Sequence, residues 1–145
     1  MKRHDARELV LQALFAIDLG KNDHRMILDS LCREKDVDEN SWEFCRYIVE
    51  GVIERQAVID RLIQKYAVQW ELTRMAGVDR NILRLALFEI LFSYDVPEAV
   101  ATNEAIELSK SFGSQESFRF INGILGNILK DLPAIKRAVE HSCNE

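Results

Sequence analysis

The stretch from residue 79 to residue 94, DRNILRLALFEILFSY, constrains the fold more than any other part of this sequence. Its apolar residues recur at helical spacing along two sides of a helix. A helix that is apolar around most of its circumference must be covered by neighbours on more than one side. It would be about 24 Å long, which is too short to span a bilayer. The sequence therefore predicts a buried central helix, with two stripes formed by Leu83, Ala86, Leu87, Ile90, Leu91 and Tyr94 and by Ile82, Leu85, Phe88 and Phe92.

The composition fits one domain that is wrapped around this helix. The chain has 145 residues, of which 48% are hydrophobic and 30% are charged, and this is enough to bury a substantial core. Only two prolines and six glycines are present, so the connections should be short. No stretch alternates with the period of two that is typical of strands. We expect an all-α fold of about seven helices and no membrane segment.

Several residues mark the predicted helix ends. The first helix should cover residues 2–19 and stop at Gly20. Further along, the sequence allows a break between helices near residues 54–56 but does not require one. An amphipathic pattern then runs from Ile59 to Trp70, and Gly123 and Gly126 indicate close approach of another helix to the last long one. The predicted N-caps are Asn22 or Asp23, the acidic turn at residues 36–41, Asp79 and Ser114.

The sequence holds no recognisable catalytic or metal-binding pattern. Its histidines and cysteines have neither HExxH nor CxxC spacing, and there is no phosphate-binding glycine loop. We therefore predict no enzyme, no cofactor and no metal, and reduced thiols in a cytoplasmic protein. The residues considered were His4, His24, His141, Cys32, Cys45 and Cys143, with Cys45 expected in the core.

Two short segments suggest binding instead. Lys2, Arg3 and Arg7 lie at a helix start, where cations oppose the macrodipole and a polyanion would compensate them. An ordinary exposed terminus is the alternative interpretation, and the net charge of −5 argues against general nucleic-acid coating. In the second segment, Phe112, Phe118 and Phe120 surround Arg119, a combination that can stack unpaired bases.

From the residues alone, the chain is a helical binding module. Phe120 also fits a buried stripe, so at least one of the rings should be structural. RNA binding therefore competes with a second hypothesis, that of a helical protein-interaction module or a homodimer without specific RNA recognition.

Three segments resemble the NusB transcription antitermination factors. They are ARELVLQALF at 6–15, VDRNILRLALFEILF at 78–92 followed by DVP, and NEAIELSKSFG at 103–113 followed by FINGIL at 120–125. The resemblance implies two small helical subdomains packed together, covering about residues 1–76 and 77–140. It also implies binding to boxA RNA of ribosomal RNA operons together with NusE, a small-subunit ribosomal protein. Within an RNA polymerase antitermination complex, such a pair helps the polymerase read through terminators.

The resemblance also implies binding residues. Asp5 stands where the family usually has a basic residue, and His4 is mostly neutral at pH 7, so we expect weaker RNA binding alone and more reliance on NusE. Polar positions of the central helix should be left exposed to meet NusE. The implied RNA-binding residues are Lys2, Arg3, His4, Arg7, Phe112, Gln115, Glu116, Arg119 and Phe120, and the implied partner-binding residues are Phe15, Asp79, Arg80, Arg84 and Glu89.

Overall fold

The computed structural model describes residues 1–20, 23–68, 71–93 and 95–143, with side chains described up to residue 140. Over these ranges the structure is helical and contains no strand, which confirms the predicted all-α class. Asn22, Trp70 and Tyr94 lie outside the described residues, as do the side chains of His141 and Cys143. The elements are α1 (Arg3–Gly20), α2 (His24–Glu34), α3 (Glu39–Tyr66), a 3₁₀ turn (Leu72–Arg74), α4 (Gly77–Phe92), α5 (Glu98–Phe112), α6 (Gln115–Lys130) and α7 (Leu132–Cys143).

The predicted central helix is α4, and it packs against α1, α3, α5 and α6. Both predicted stripes are buried over most of their length, and among their described residues only Leu91 and Phe92, at the C-terminal end of α4, are partly exposed. One continuous hydrophobic core runs through all seven helices. The division into subdomains at residues 76 and 77 stays a prediction.

Helix α3 is the longest element, with 28 residues and no break near residues 54–56. Gly51 lies inside it because α4 comes very close at this point. A Cβ on Gly51 would lie 2.3 Å from two carbons of the Phe88 ring, a distance that no packed atoms tolerate. The glycine therefore lets the Phe88 ring pack directly against the backbone of α3, which offsets its low helix propensity.

Three of the predicted caps are confirmed. Asp23 accepts a hydrogen bond from the backbone N–H of Arg25 at 2.9 Å, and Asp38 in the acidic turn accepts one from Ser41 at 3.1 Å. Ser114 caps α6. These side chains satisfy backbone donors that have no partner within the helix.

The predicted cap of α4 is wrong. The helix begins at Gly77, two residues before Asp79, and its N-cap is Ala76, which makes no side-chain capping bond. Asp79 instead lies in the first turn, where its negative charge still suits the helix dipole.

The expectation of close packing at the α6 glycines is also wrong. A Cβ added to Gly123 or Gly126 would meet nothing within 4 Å. Both glycines lie on the outer side of α6, where Gly123 is exposed and Gly126 is half-buried. The apolar stripe of α6 packs on the opposite side, through Ile121, Ile124, Leu125 and Ile128.

Candidate nucleic-acid and partner interfaces

The start of α1 presents two cations to solvent. Lys2 precedes the helix and Arg3 is its first residue, and both are exposed. The Arg3 guanidinium lies over the Phe44 ring of α3, 4.1 Å from the ring centroid. A cation–π contact of this kind orients the guanidinium without neutralising its charge. Lys2 and Arg3 are therefore placed to meet an anion.

His4 forms a bridge between α1 and α5. Its Nδ1 lies 2.8 Å from a Glu104 oxygen, and its Nε2 lies 3.2 Å from a Glu8 oxygen. Ionised carboxylates only accept hydrogen bonds, whereas a neutral imidazole donates from one nitrogen alone. Two carboxylate partners therefore favour the doubly protonated ring.

The electrostatics at His4 agree with this geometry. The hydrogen bond with Glu104, together with the charges of Glu104, Glu8 and Asp5, raises the pKa of His4 despite partial desolvation. The protonated form of His4 is therefore favoured more than in a free histidine. Since two carboxylates accompany that charge, it adds little net positive potential at the surface.

Arg7 faces the interior rather than the surface. Its Nε and Nη2 donate to the two carboxylate oxygens of Glu89 on α4, each at 2.8 Å. Glu89 is 1% exposed and Arg7 is 5% exposed, so the pair is closed off from solvent. The expectations that Arg7 offers its charge to phosphate and that Glu89 is left exposed for NusE are therefore corrected, because each side chain occupies the other.

The corner between α5 and α6 is shaped by two serines and a glycine. Ser114 Oγ accepts from the Ser117 N–H at 3.3 Å, and Ser117 Oγ accepts from the Ser114 N–H at 3.0 Å. A Cβ at Gly113 would come within 2.6 Å of Ser117 Oγ, so only glycine fits beside this reciprocal cap. The corner is thus a tightly defined turn that holds the first turn of α6 in place.

A surface cleft of about 710 Å³ opens at this corner. Of the predicted RNA-binding residues, Gln115, Glu116 and Arg119 line it, and all three are exposed. Phe112 is exposed at the end of α5 but does not line the cleft, and Phe120 is half-buried against the core.

Besides Gly113 and Ser114 of the turn, two residues of the cleft were absent from the predicted set. Phe118 is 37% exposed and forms part of the cleft wall. Lys110 of α5 reaches across the turn, with its Nζ 5.5 Å from the Phe118 ring centroid. Phe118 is visible in the sequence as one of three neighbouring aromatic residues, whereas the contact with Lys110 depends on the angle between α5 and α6.

The two basic regions lie along the same helix, α5. His4 contacts Glu104, which fixes the start of α1 beside the middle of α5. Phe112, at the cleft end of α5, is about 12 Å further along the helix axis. The start of α1 and the α5–α6 corner are therefore separated by roughly this distance along α5.

The predicted partner face lies where α1 ends and α4 begins. Phe15 is half-buried, and its ring lies 3.0 Å from the position of a Cβ on Gly77. Asp79 is largely buried, and its Oδ1 has no hydrogen-bond partner among the described residues. The expectation that Asp79 is left exposed for NusE is therefore corrected, and of these two residues Phe15 is the more accessible.

Arg80 and Arg84 lie behind this face in an ionic network. Asp18 accepts from Arg80 Nε at 2.9 Å and Nη2 at 2.7 Å, and it also lies 3.3 Å from Arg84 Nη1. Arg84 donates to both oxygens of Asp60, at 2.8 and 2.9 Å. Because these cations are buried or nearly so and already paired, the expectation that they are left exposed for a partner is corrected.

The network also perturbs the pKa of Asp18. Desolvation raises that pKa, but hydrogen bonds from Arg80 and Asn81 and the nearby guanidinium charges outweigh it, so the pKa is lowered. Asp18 therefore stays ionised and ties the end of α1 to the first turns of α4.

The described part of the chain offers neither a cluster of metal ligands nor a helix able to span a membrane. No group of three or more His, Cys, Asp or Glu side chains there could hold a metal ion. In the same residues, none of the helices combines the length and apolarity that crossing a membrane requires.

The sequence and the fold are both similar to those of known proteins. A model of the NusB family matches residues 4–130. Transcription antitermination protein NusB of Desulforamulus reducens is 49% identical over 129 residues, which cover 89% of this chain and 90% of that protein. The structure of T. maritima NusB gives a TM-score of 0.84 at 39% identity, covering 90% of this chain and 92% of that one.

A crystal structure of antitermination factors NusB and NusE in complex with dsRNA shares the fold. It gives a TM-score of 0.79 at 23% identity and covers 95% of this chain and 99% of that one. The family match over most of the sequence and the identity to the D. reducens protein decide the classification. This chain belongs to the NusB family.

Proposed function

We propose that this protein is a transcription antitermination factor that binds boxA RNA of ribosomal RNA operons together with NusE. The family match over residues 4–130 carries this proposal. The complex of NusB and NusE with dsRNA supports it, since its matching chain has the same fold. As part of an RNA polymerase antitermination complex in the cytoplasm, the protein acts by binding rather than by catalysis.

The RNA surface combines the start of α1 with the cleft at the α5–α6 corner. Lys2, Arg3 and Arg119 contact phosphates, because they are exposed cations. Gln115 and Glu116 face the cleft, where an amide and a carboxylate can form hydrogen bonds with base edges. His4 and Arg7 act indirectly, by holding α1 against α5 and α4.

The NusE surface is centred on Phe15, with Asp79 largely buried beside it. The partly exposed aromatic ring suits a partner that brings an apolar side chain. Arg80, Arg84 and Glu89 support this surface from inside, through the ion pairs that fix α4 to α1 and α3. The proposed division into two subdomains would place α4 at their junction.

Binding of labelled boxA RNA, measured by fluorescence anisotropy with and without NusE, tests the proposal. We expect NusE to tighten binding and rising salt to weaken it, since phosphate contacts release counterions. A scrambled RNA of the same length is the matched control. Equal affinity for both RNAs, whether or not NusE is present, would contradict specific recognition and favour a protein-interaction module.

A further inference from the structure

A groove of about 360 Å³ lies between the C-terminal half of α3 and α7, away from both proposed interfaces. Its floor is apolar and is formed by Val58 and Leu62 of α3 and by Ile135 and Val139 of α7. The small side chains of Ala134 and Ala138 leave the α7 side of the groove open. A groove of this size takes a few anchoring side chains rather than a whole protein segment.

The rim of the groove on α3 is basic. Arg61 and Lys65 are one helical turn apart, and both are exposed. Arg61 donates only to the Ala57 carbonyl of its own helix, and Lys65 lies near the Tyr66 ring, 5.7 Å from its centroid. Neither cation forms an ion pair with the described residues. Two unneutralised cations beside an apolar floor are notable in a chain with a net charge of −5.

Asp131, which also lines this groove, forms no ion pair with Arg61 or Lys65. Asp131 accepts a hydrogen bond from the Tyr66 hydroxyl at 2.6 Å, which holds the start of α7 against the end of α3. Its role is therefore to fix the two walls of the groove relative to one another.

The position of the groove separates it from RNA binding. Helix α6 runs from the RNA cleft at Gln115 to Lys130 beside the groove, a length of about 22 Å. The lining shares no residue with the proposed RNA or NusE surfaces. The match to the family model ends at residue 130, so the wall formed by α7 lies outside the matched segment.

We propose that this groove docks an acidic amphipathic helix of a further protein partner. Apolar side chains spaced at i, i+3 or i+4, and i+7 would enter the floor, as in other helix-in-groove complexes. Glutamate or aspartate beside them would face Arg61 and Lys65 and fix the orientation. RNA fits less well, because the floor is aliphatic and the Tyr66 ring in the lining is half-buried and held by its hydrogen bond to Asp131.

The test uses two synthetic peptides and the full-length protein. One has leucines at helical spacing with glutamates between them, and the other has the same leucines with lysines. We expect saturable binding of the glutamate peptide by fluorescence anisotropy, and affinity at least about tenfold weaker for the lysine peptide. Arg61→Glu with Lys65→Glu should reverse this preference, because two attractions become repulsions.

Two further variants make the result specific to the groove. Arg33→Glu with Lys35→Glu makes the same charge change at the end of α2 and should leave peptide binding unchanged. Ala138→Trp fills the groove from α7 without changing charge and should abolish binding. Circular dichroism checks folding, and boxA RNA binding of all three variants should match that of the unmodified protein.

Three outcomes would overturn the proposal: no binding of the glutamate peptide, equal binding of both peptides, or unchanged binding by Ala138→Trp. Because the RNA measurement is made on the same samples, a failure here is distinguishable from a failure of the proposed antitermination function.

Discussion

The basic residues of this protein serve two different purposes in two regions. At the start of α1 and at the α5–α6 corner, Arg3, Lys110 and Arg119 are exposed, and the ion pair of Lys110 with Glu107, at 3.7 Å, is itself open to solvent. Around α4, Arg7 and Arg84 are buried, and each is held by carboxylates through two hydrogen bonds. The first group has charge available for a ligand, whereas the second uses its charge to hold helices together. Whether a basic residue can bind a ligand or instead stabilises the fold therefore depends on its burial and its ion pairs, and not on its residue type.

The largest expected effect comes from breaking the buried pair in the second region. Glu89→Lys would place two cations together at a site that is closed to solvent. Removing one partner of a buried ion pair costs about 3–5 kcal/mol, so the free energy of unfolding in urea should fall by at least that amount. Arg7→Glu should have a similar effect, because it buries a second carboxylate beside Glu89.

Arg3→Glu is the matched control for this pair of variants. It makes the same charge change as Arg7→Glu, one turn earlier on α1, but at an exposed site. The free energy of unfolding should fall by only about 0.5–1 kcal/mol, because only the contact with Phe44 is lost. The affinity for RNA should fall, and so should the dependence of that affinity on salt. If Arg7→Glu proved as stable as Arg3→Glu, the comparison between the two regions would fail.

A smaller loss of stability is expected at Arg84. Arg84→Met keeps the bulk of the side chain but leaves Asp60 and Asp18 without their shared cation. These carboxylates are partly exposed, so water can replace some of the lost bonds. We expect a loss of about 1.5–3 kcal/mol in denaturant unfolding, the range for hydrogen bonds to charged groups. A change below about 0.5 kcal/mol would show that the network is dispensable for folding.

The sequence predicts the helices well and the pairing of their charges poorly. Helical periodicity identified the buried faces of α4, since burial of an apolar face depends on the local pattern. The same pattern shows that Glu89 is polar but not which residue meets it, and Arg7 is 82 positions away. An ion pair of this kind depends on how α1 crosses α4, which no local spacing encodes. For the same reason, Lys110 was missed in the RNA cleft and Arg7 was placed at the surface.

The next prediction concerns RNA affinity rather than folding. Phe118→Ala removes the exposed ring that lines the cleft at the α5–α6 corner. If a base stacks on that ring, the loss is about 1–3 kcal/mol, or roughly 5- to 150-fold in the dissociation constant. Phe112→Ala is the control, since Phe112 is similarly exposed but does not line the cleft, and it should have a smaller effect. The opposite order would place the stacked base on α5 instead.

The smallest effect is expected at His4. This residue lies beside the exposed cations at the start of α1, but it is paired with carboxylates, as Arg7 and Arg84 are. Glu8 and Asp5 on α1 and Glu104 on α5 raise its pKa, so the folded chain binds the proton more tightly than the unfolded chain does. This contribution to stability is complete below the unfolded pKa of about 6.5 and is lost as pH rises through the raised folded value.

The comparison of wild-type protein with His4→Gln isolates this contribution, since glutamine retains a hydrogen-bond donor but cannot carry the charge. The difference in their unfolding free energies should be largest near about pH 5.5 and should shrink towards about pH 8.5. A difference that does not change with pH would show that His4 acts as a neutral hydrogen-bonding group. In that case the His4 bridge between α1 and α5 would lack an ionic component, and the charge available at the start of α1 would come from Lys2 and Arg3 alone.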